Sequence, residues 1–235
     1  MAQWRRLWLQ DARTLKSALW RAVEAQHAIS TLRLVDSAAE QHLLERMLEV
    51  SKPPLPPEAA GLPYLLATPF RYLSPLPSRF RRRGEPGVWY GAELIATACA
   101  EVGYWRWRFL MASDGLREQA LLVEFTLFEA RAAGRGIDLT VSPWNRATSL
   151  WHDPNDYAPC HLLAQAARES GVQWIRYPSQ RDPAQGACGA VLDPRALSLT
   201  RATTQQTWAA KIEAAGVLFA HDGESLQFDA AGWQA

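Results

Sequence analysis

Thr68 to Glu101 gathers charged and aromatic residues in an order that suits a phosphate-bearing ligand. Arg71, Arg79, Arg81, Arg82 and Arg83 surround a Gly/Pro turn, Val88-Trp89-Tyr90 follows as a short apolar run, and Glu101 lies beyond it. Guanidinium forks pair bidentately with phosphate oxygens, so arginines fixed on a turn beside a strand suit a pyrophosphate. Arg79, bracketed by Ser78 and Phe80, is the better ligand candidate, and for two of the three residues Arg81–Arg83 a solvated basic loop is the preferred reading. Tyr90 at a strand end offers a stacking face or a core ring. Glu101, inside the apolar run LIATACAEVGYW, would be a carboxylate able to stabilise a developing cation; its plain alternative is an exposed helix position. Glu93 suits a helix N-terminus and is held only as a reserve candidate.

Other chemistry is less favoured. Cys99, Cys160 and Cys188 are odd in number and widely spaced, without a CxxC or HExxH pairing, so three reduced thiols and no metal are expected. Cys160 and His161 are adjacent, and neighbouring side chains on a helix diverge. Eleven tryptophans include Tyr104-Trp105-Arg106-Trp107-Arg108, which suits either a flat anionic ligand or a buried helix, the second being preferred.

Positioning these residues requires strands and helices in alternation. Leu15, Leu19, Ala22 and Val23 predict a helix over 11–28, and Ser30–Val35 a short strand. Asp36 or Ser37 caps an amphipathic helix bearing Leu43, Leu44, Met47 and Leu48, which the proline tract between 53 and 57 stops. A boundary near residue 60 therefore divides an amino-terminal, mostly helical extension (1–60) from a catalytic domain (61–235). Beyond it, strands are expected at 88–90, 121–130, 136–140, 172–177 and 190–192. Helices are expected at 94–110 and 160–170, with a last helix at 204–214 and a final strand pair opening at 217–220. The fold class is α+β, without a regular βαβ series or a phosphate-binding glycine loop.

Composition narrows the function. Hydrophobic residues at 48% and charged residues at 21% describe a globular chain. A net charge of +1 is weak for a dedicated nucleic-acid binder. No apolar run approaches the roughly 18–20 residues of a membrane span, and the start lacks a signal-peptide core, so a cytoplasmic protein is expected.

The runs Ser78-Arg79-Phe80-Arg81, Gly87 to Glu93 and Thr97 to Glu101 resemble the signature of the RES-domain family, toxins of bacterial toxin–antitoxin pairs. Asp138-Leu139-Thr140, Trp151 to Pro154, Asp156-Tyr157 and Tyr177 to Pro183 follow in the expected order, then Gly186 and Ala190-Val191-Leu192. The resemblance spans roughly residues 65–200, and the segment before 60 is similar to the extension of longer members. It implies a compact mixed fold related to ADP-ribosyltransferases and degradation of NAD⁺ by phosphorolysis or hydrolysis of the nicotinamide–ribose bond. Carried over by position, Arg79, Tyr90, Glu101 and Ser179 are the catalytic set. Arg79, Tyr90, Ser179 and Arg181 contact the dinucleotide. Members often carry Asn in the turn after the serine, where this chain has Gly186-Ala187-Cys188-Gly189.

The implied site needs no strong general acid, because nicotinamide leaves a cationic ring as a neutral one. It must grip the pyrophosphate and stabilise an oxocarbenium-like ribose. NAD⁺ is then a substrate, with inorganic phosphate as a co-substrate in the phosphorolytic case. The implied partner is a helix-turn-helix antitoxin of the Xre type, with a homodimer contact as a further expectation. The rival readings are an ADP-ribosyltransferase acting on a protein or nucleic acid, and a non-enzymatic binding module.

Overall fold

Arg13–Glu24 (β1) forms a strand, not the helix expected over 11–28, and all twelve residues pair antiparallel with Leu121–Asp138 (β3). The reason is parity. Leu15, Leu19 and Val23 are four apart, which places them on one face of a helix and equally on one face of a strand. They pack with Leu66, Phe70, Trp89 and Trp174, while Trp20 and Ala22 point to the other face and meet the cluster around Tyr104 and Trp208. From Leu19 to Val23 both faces are covered, as in an interior strand. This part of the expected extension is thus built into the sheet. The computed structural model describes residues 6–25, 34–199 and 205–234. Most of the strand expected at 30–35 lies outside them.

Trp89–Ala92 (β2), Trp174–Pro178 (β4) and Ala187–Val191 (β5) join β1 and β3 in a closed circuit of pairings, β1-β2-β5-β4-β3 and back to β1. Only β3 and β4 run parallel within it. The two strands expected at 121–130 and 136–140 are one. Its first half pairs with Gln205–Glu213 (β7) and its end with β4, while the two-residue strand Leu197–Ser198 (β6) touches its middle.

β7 corrects the helix expected at 204–214. Ala-Ala-Lys favours a helix, but Trp208, Ala210 and Ile212 alternate inward while Thr207, Ala209 and Lys211 face solvent. Burial at period two against β3 outweighs local propensity. The sheet continues as expected into Gly216–His221 (β8) and Glu224–Asp229 (β9). Asp222 and Gly223, both at positive φ, make the two-residue turn between them.

Ala38–Ser51 (α1) starts at Ser37, whose hydroxyl accepts from the Glu40 amide at 3.2 Å, and ends before the prolines. Its apolar residues Leu43, Met47 and Leu48 remain exposed. Tyr64–Arg71 (α2) covers the Trp89 side of the sheet, with Leu66 and Phe70 buried there. Ile95–Met111 (α3) crosses the other side, and Ala100, Tyr104, Trp107 and Leu110 meet Trp208 and Phe219. Thr148–Trp151 (α4) and Ala158–Glu169 (α5) close the region beyond β4, and Ala231–Gln234 (α6) ends the described chain. No helix among the described residues is long and apolar enough to cross a membrane.

Candidate active site

Glu101 sits on α3, and one helical turn earlier the same face presents Thr97. Both reach the turn that follows β4. The Ser179 hydroxyl donates to Glu101 Oε1 at 2.6 Å, and the Thr97 hydroxyl donates to Asp182 Oδ2 at 2.7 Å. The turn is braced from within. Ser179 Oγ accepts from the amides of Arg181 (3.1 Å) and Asp182 (3.0 Å), and Asp182 accepts from the amides of Ala184 and Gly186. Gly186 is required for close approach, because a Cβ there would lie 2.1 Å from Thr97 Oγ1. A larger residue there would displace the Thr97–Asp182 bond, because its Cβ would also lie 2.8 Å from Asp182 Oδ2.

A second turn presents Arg79. Ser78 and Arg81 exchange backbone bonds of 2.9 and 3.1 Å, and Tyr90 pins them from β2. The Tyr90 hydroxyl accepts from the Phe80 amide at 3.1 Å and shares a 2.8 Å bond with Ser78 Oγ. With its hydroxyl so engaged, Tyr90 offers the cleft its ring. Arg79 is buried, its Nη1 donating to the carbonyls of Trp151 (2.7 Å) and Asp153 (3.0 Å), its guanidinium 4.8 Å from the Tyr157 ring centre. Arg181, also buried, donates to the Pro154 carbonyl at 2.8 Å and lies 3.7 Å from the Tyr104 ring centre. The segment from Trp151 to Tyr157 thus brackets both arginines. It does so with neutral carbonyls, and among the described residues neither guanidinium has an ion pair.

Arg79, Tyr90, Glu101 and Arg181 line one open cleft with a cavity volume of about 230 Å³. Ser179 is the exception. It is 0% exposed, and its hydroxyl donates to Glu101. Burial pushes the Glu101 carboxyl above its ordinary range, opposed by the Ser179 bond and by the charges of Arg79 and Arg181. Cys188 lines the cleft, and burial pushes its thiol well above the ordinary cysteine range. Cys160 is likewise pushed up, to about 11.

The remaining candidates separate clearly. Arg82 pairs with Glu85 at the surface, and Arg81 donates to the Leu76 carbonyl. Glu93 is bound by Arg176 at 2.7 Å, and Arg176 also reaches Asp138 at 3.2 Å, a structural tie between β2, β3 and β4. Trp107 is core, whereas Trp105 is 44% exposed at the cleft rim. Arg181 and Asp182 are both buried, with Arg181 reaching the Pro154 carbonyl and Asp182 the Thr97 hydroxyl. Sequence reasoning missed Thr97, Tyr157 and the β1 contribution. Trp20, Arg21 and Ala22 also line the cleft, with Arg21 donating to the Tyr90 carbonyl at 2.9 Å. The alternation of Trp20 and Ala22 against Leu19 and Val23 was the available signal for that strand.

A family model described as the RES domain matches residues 55–213. Among solved structures, a chain of the M. tuberculosis MbcT–MbcA toxin–antitoxin complex is 14% identical at a TM-score of 0.46, with 85% of this chain and 90% of that chain covered. No curated protein matches.

Proposed function

Since this chain belongs to the RES-domain family, we propose that it is a toxin that cleaves the nicotinamide–ribose bond of NAD⁺ and is restrained by a helix-turn-helix antitoxin. The observation that carries this reading is the site itself. A half-buried carboxyl, Glu101, held by Ser179, shares a cleft with two buried arginines that have no ion pair among the described residues.

In this reading the carbon–nitrogen bond breaks with its electron pair moving into the pyridinium ring, which departs as neutral nicotinamide. The ribose is left as an oxocarbenium ion. Glu101, ionised, stabilises that charge from one side, where preorganised electrostatics act most strongly. Arg79 and Arg181 receive the pyrophosphate. Their neutral carbonyl partners fix the guanidinium planes without neutralising them, which keeps the charge for the ligand. Tyr90 packs on the nicotinamide or its ribose. An oxygen of phosphate or water then bonds to the ribosyl carbon. Phosphate gives ADP-ribose 1-phosphate, and water gives ADP-ribose with release of a proton. The proposed setting is the cytoplasm, where NAD⁺ depletion would arrest growth.

The test is product analysis with purified, antitoxin-free protein. A phosphorylated ADP-ribose formed only when inorganic phosphate is present establishes phosphorolysis, and free ADP-ribose in its absence establishes hydrolysis. Label from NAD⁺ appearing on protein or nucleic acid instead would replace this reading with ADP-ribosyl transfer.

A further inference from the structure

Glu101 depends on the turn from Ser179 to Gly186, and that turn is gripped from behind by the end of the chain. Trp233 on α6 donates from its indole nitrogen to the Arg181 carbonyl at 2.8 Å. This residue lies beyond the stretch 55–213 that matches the RES domain. Its ring is seated by Phe228, stacked at 6.3 Å, and by Trp107 and Tyr104, each at 5.7 Å. Tyr104 is also the ring on which the Arg181 guanidinium lies. Trp233 therefore touches Arg181 through its main chain and backs the plate beneath its side chain. The Arg181 amide in turn donates to Ser179 Oγ, which donates to Glu101. Behind the turn, Ser179, Asp182, Phe228 and Trp233 border a second, open cavity of about 200 Å³. Close packing does not fill that side, so a directional bond has more to do there.

We propose that Trp233 is a positioning residue for the NAD⁺ cleavage argued above, setting the Arg181 turn and, through Ser179, the Glu101 carboxyl. The inference rests on that reading of Glu101. The groups facing Glu101 are Arg79 from the first turn, Arg181 and Asp182 from the second, Tyr177 from β4 and Cys188 from β5. Of the influences that lower its pKa, the Ser179 bond is the largest, and it is the one that a loosened turn would weaken.

The experiment compares the full chain with Trp233→Phe, which keeps an aromatic plate and deletes the N–H, and with Trp233→Tyr as a second conservative variant. Steady-state NAD⁺ loss is followed against pH. The expected result is kcat lowered roughly three- to tenfold with KM within about twofold, and the acidic limb displaced to higher pH. A variant that melts earlier but keeps the wild-type kcat and acidic limb has lost packing alone, and that result overturns the proposal. If the wild-type chain does not consume NAD⁺, the functional reading fails, and Trp233 is judged by NMR titration of ¹³C-glutamate-labelled protein. Glu101→Gln identifies the Glu101 signal there. An upward shift of that titration in Trp233→Phe sustains the positioning role, and an unchanged titration refutes it.

Discussion

Glu101 is held between opposed effects: burial raises its pKa above the ordinary 4.5, and the Ser179 hydroxyl with Arg79 and Arg181 pulls it down. If the ionised form is the active one, kcat rises with pH through a pKa above the usual carboxylate range. Ser179→Ala removes the largest of the lowering influences, so that acidic limb should move further up; a pH–rate profile checks this. Glu101→Gln keeps an acceptor for Ser179 and deletes the charge, and kcat should fall by about 10²–10³, the scale of one preorganised electrostatic contact. The same substitution should stabilise the protein. A carboxyl with a raised folded pKa binds its proton to higher pH when folded than when unfolded, so stability declines as pH rises from the ordinary range through the folded value. Thermal melts of Glu101→Gln at neutral pH should therefore lie above wild type, and below that window the two should converge.

At the level of elements, α3 and the turn after β4 are joined twice, by Glu101 to Ser179 and by Thr97 to Asp182. Thr97→Val keeps the shape and leaves a buried carboxylate short of one donor. Such a loss costs about 1–3 kcal/mol, measurable by urea unfolding, and kcat should fall with it because the turn is no longer anchored. The elements that carry the carried-over residues were readable from sequence. β2 and β4 are short apolar runs bounded by turn residues, and α3 has small residues at helical spacing ending in a buried aromatic face. β1 and β7 were not readable. In β1 a four-residue spacing fits either period, and in β7 an Ala-Ala-Lys run hides an alternation that only pairing with β3 makes decisive. The β1 error had a cost for the site, because a helix assigned to an accessory segment could not contribute Trp20, Arg21 and Ala22 to the cleft.

Across the whole molecule, the cleft gathers strand β1, two turns, α3 and the bracket from Trp151 to Tyr157. Residues this far apart in sequence meet only through the closed pairing of β1 to β5, which no local pattern encodes. Motif order could supply Arg79, Tyr90, Glu101 and Arg181, whereas the burial that commits Ser179 to Glu101 required the fold. The charge distribution makes a separate prediction. A net charge of +1 gives little long-range field, and the two arginines act inside the cleft. KM for NAD⁺ should therefore change by less than about threefold between about 50 and about 300 mM salt, far from the steep dependence of a nucleic-acid binder. The most direct measurement is NAD⁺ remaining after incubation with purified, antitoxin-free protein, beside Glu101→Gln, in buffers with and without inorganic phosphate. Wild-type consumption in at least one buffer, lost by a factor of about 10² or more in a folded Glu101→Gln, is the expected result. NAD⁺ that persists with the wild type in both buffers, or that is consumed equally by Glu101→Gln, would contradict the assignment of this cleft to NAD⁺ cleavage.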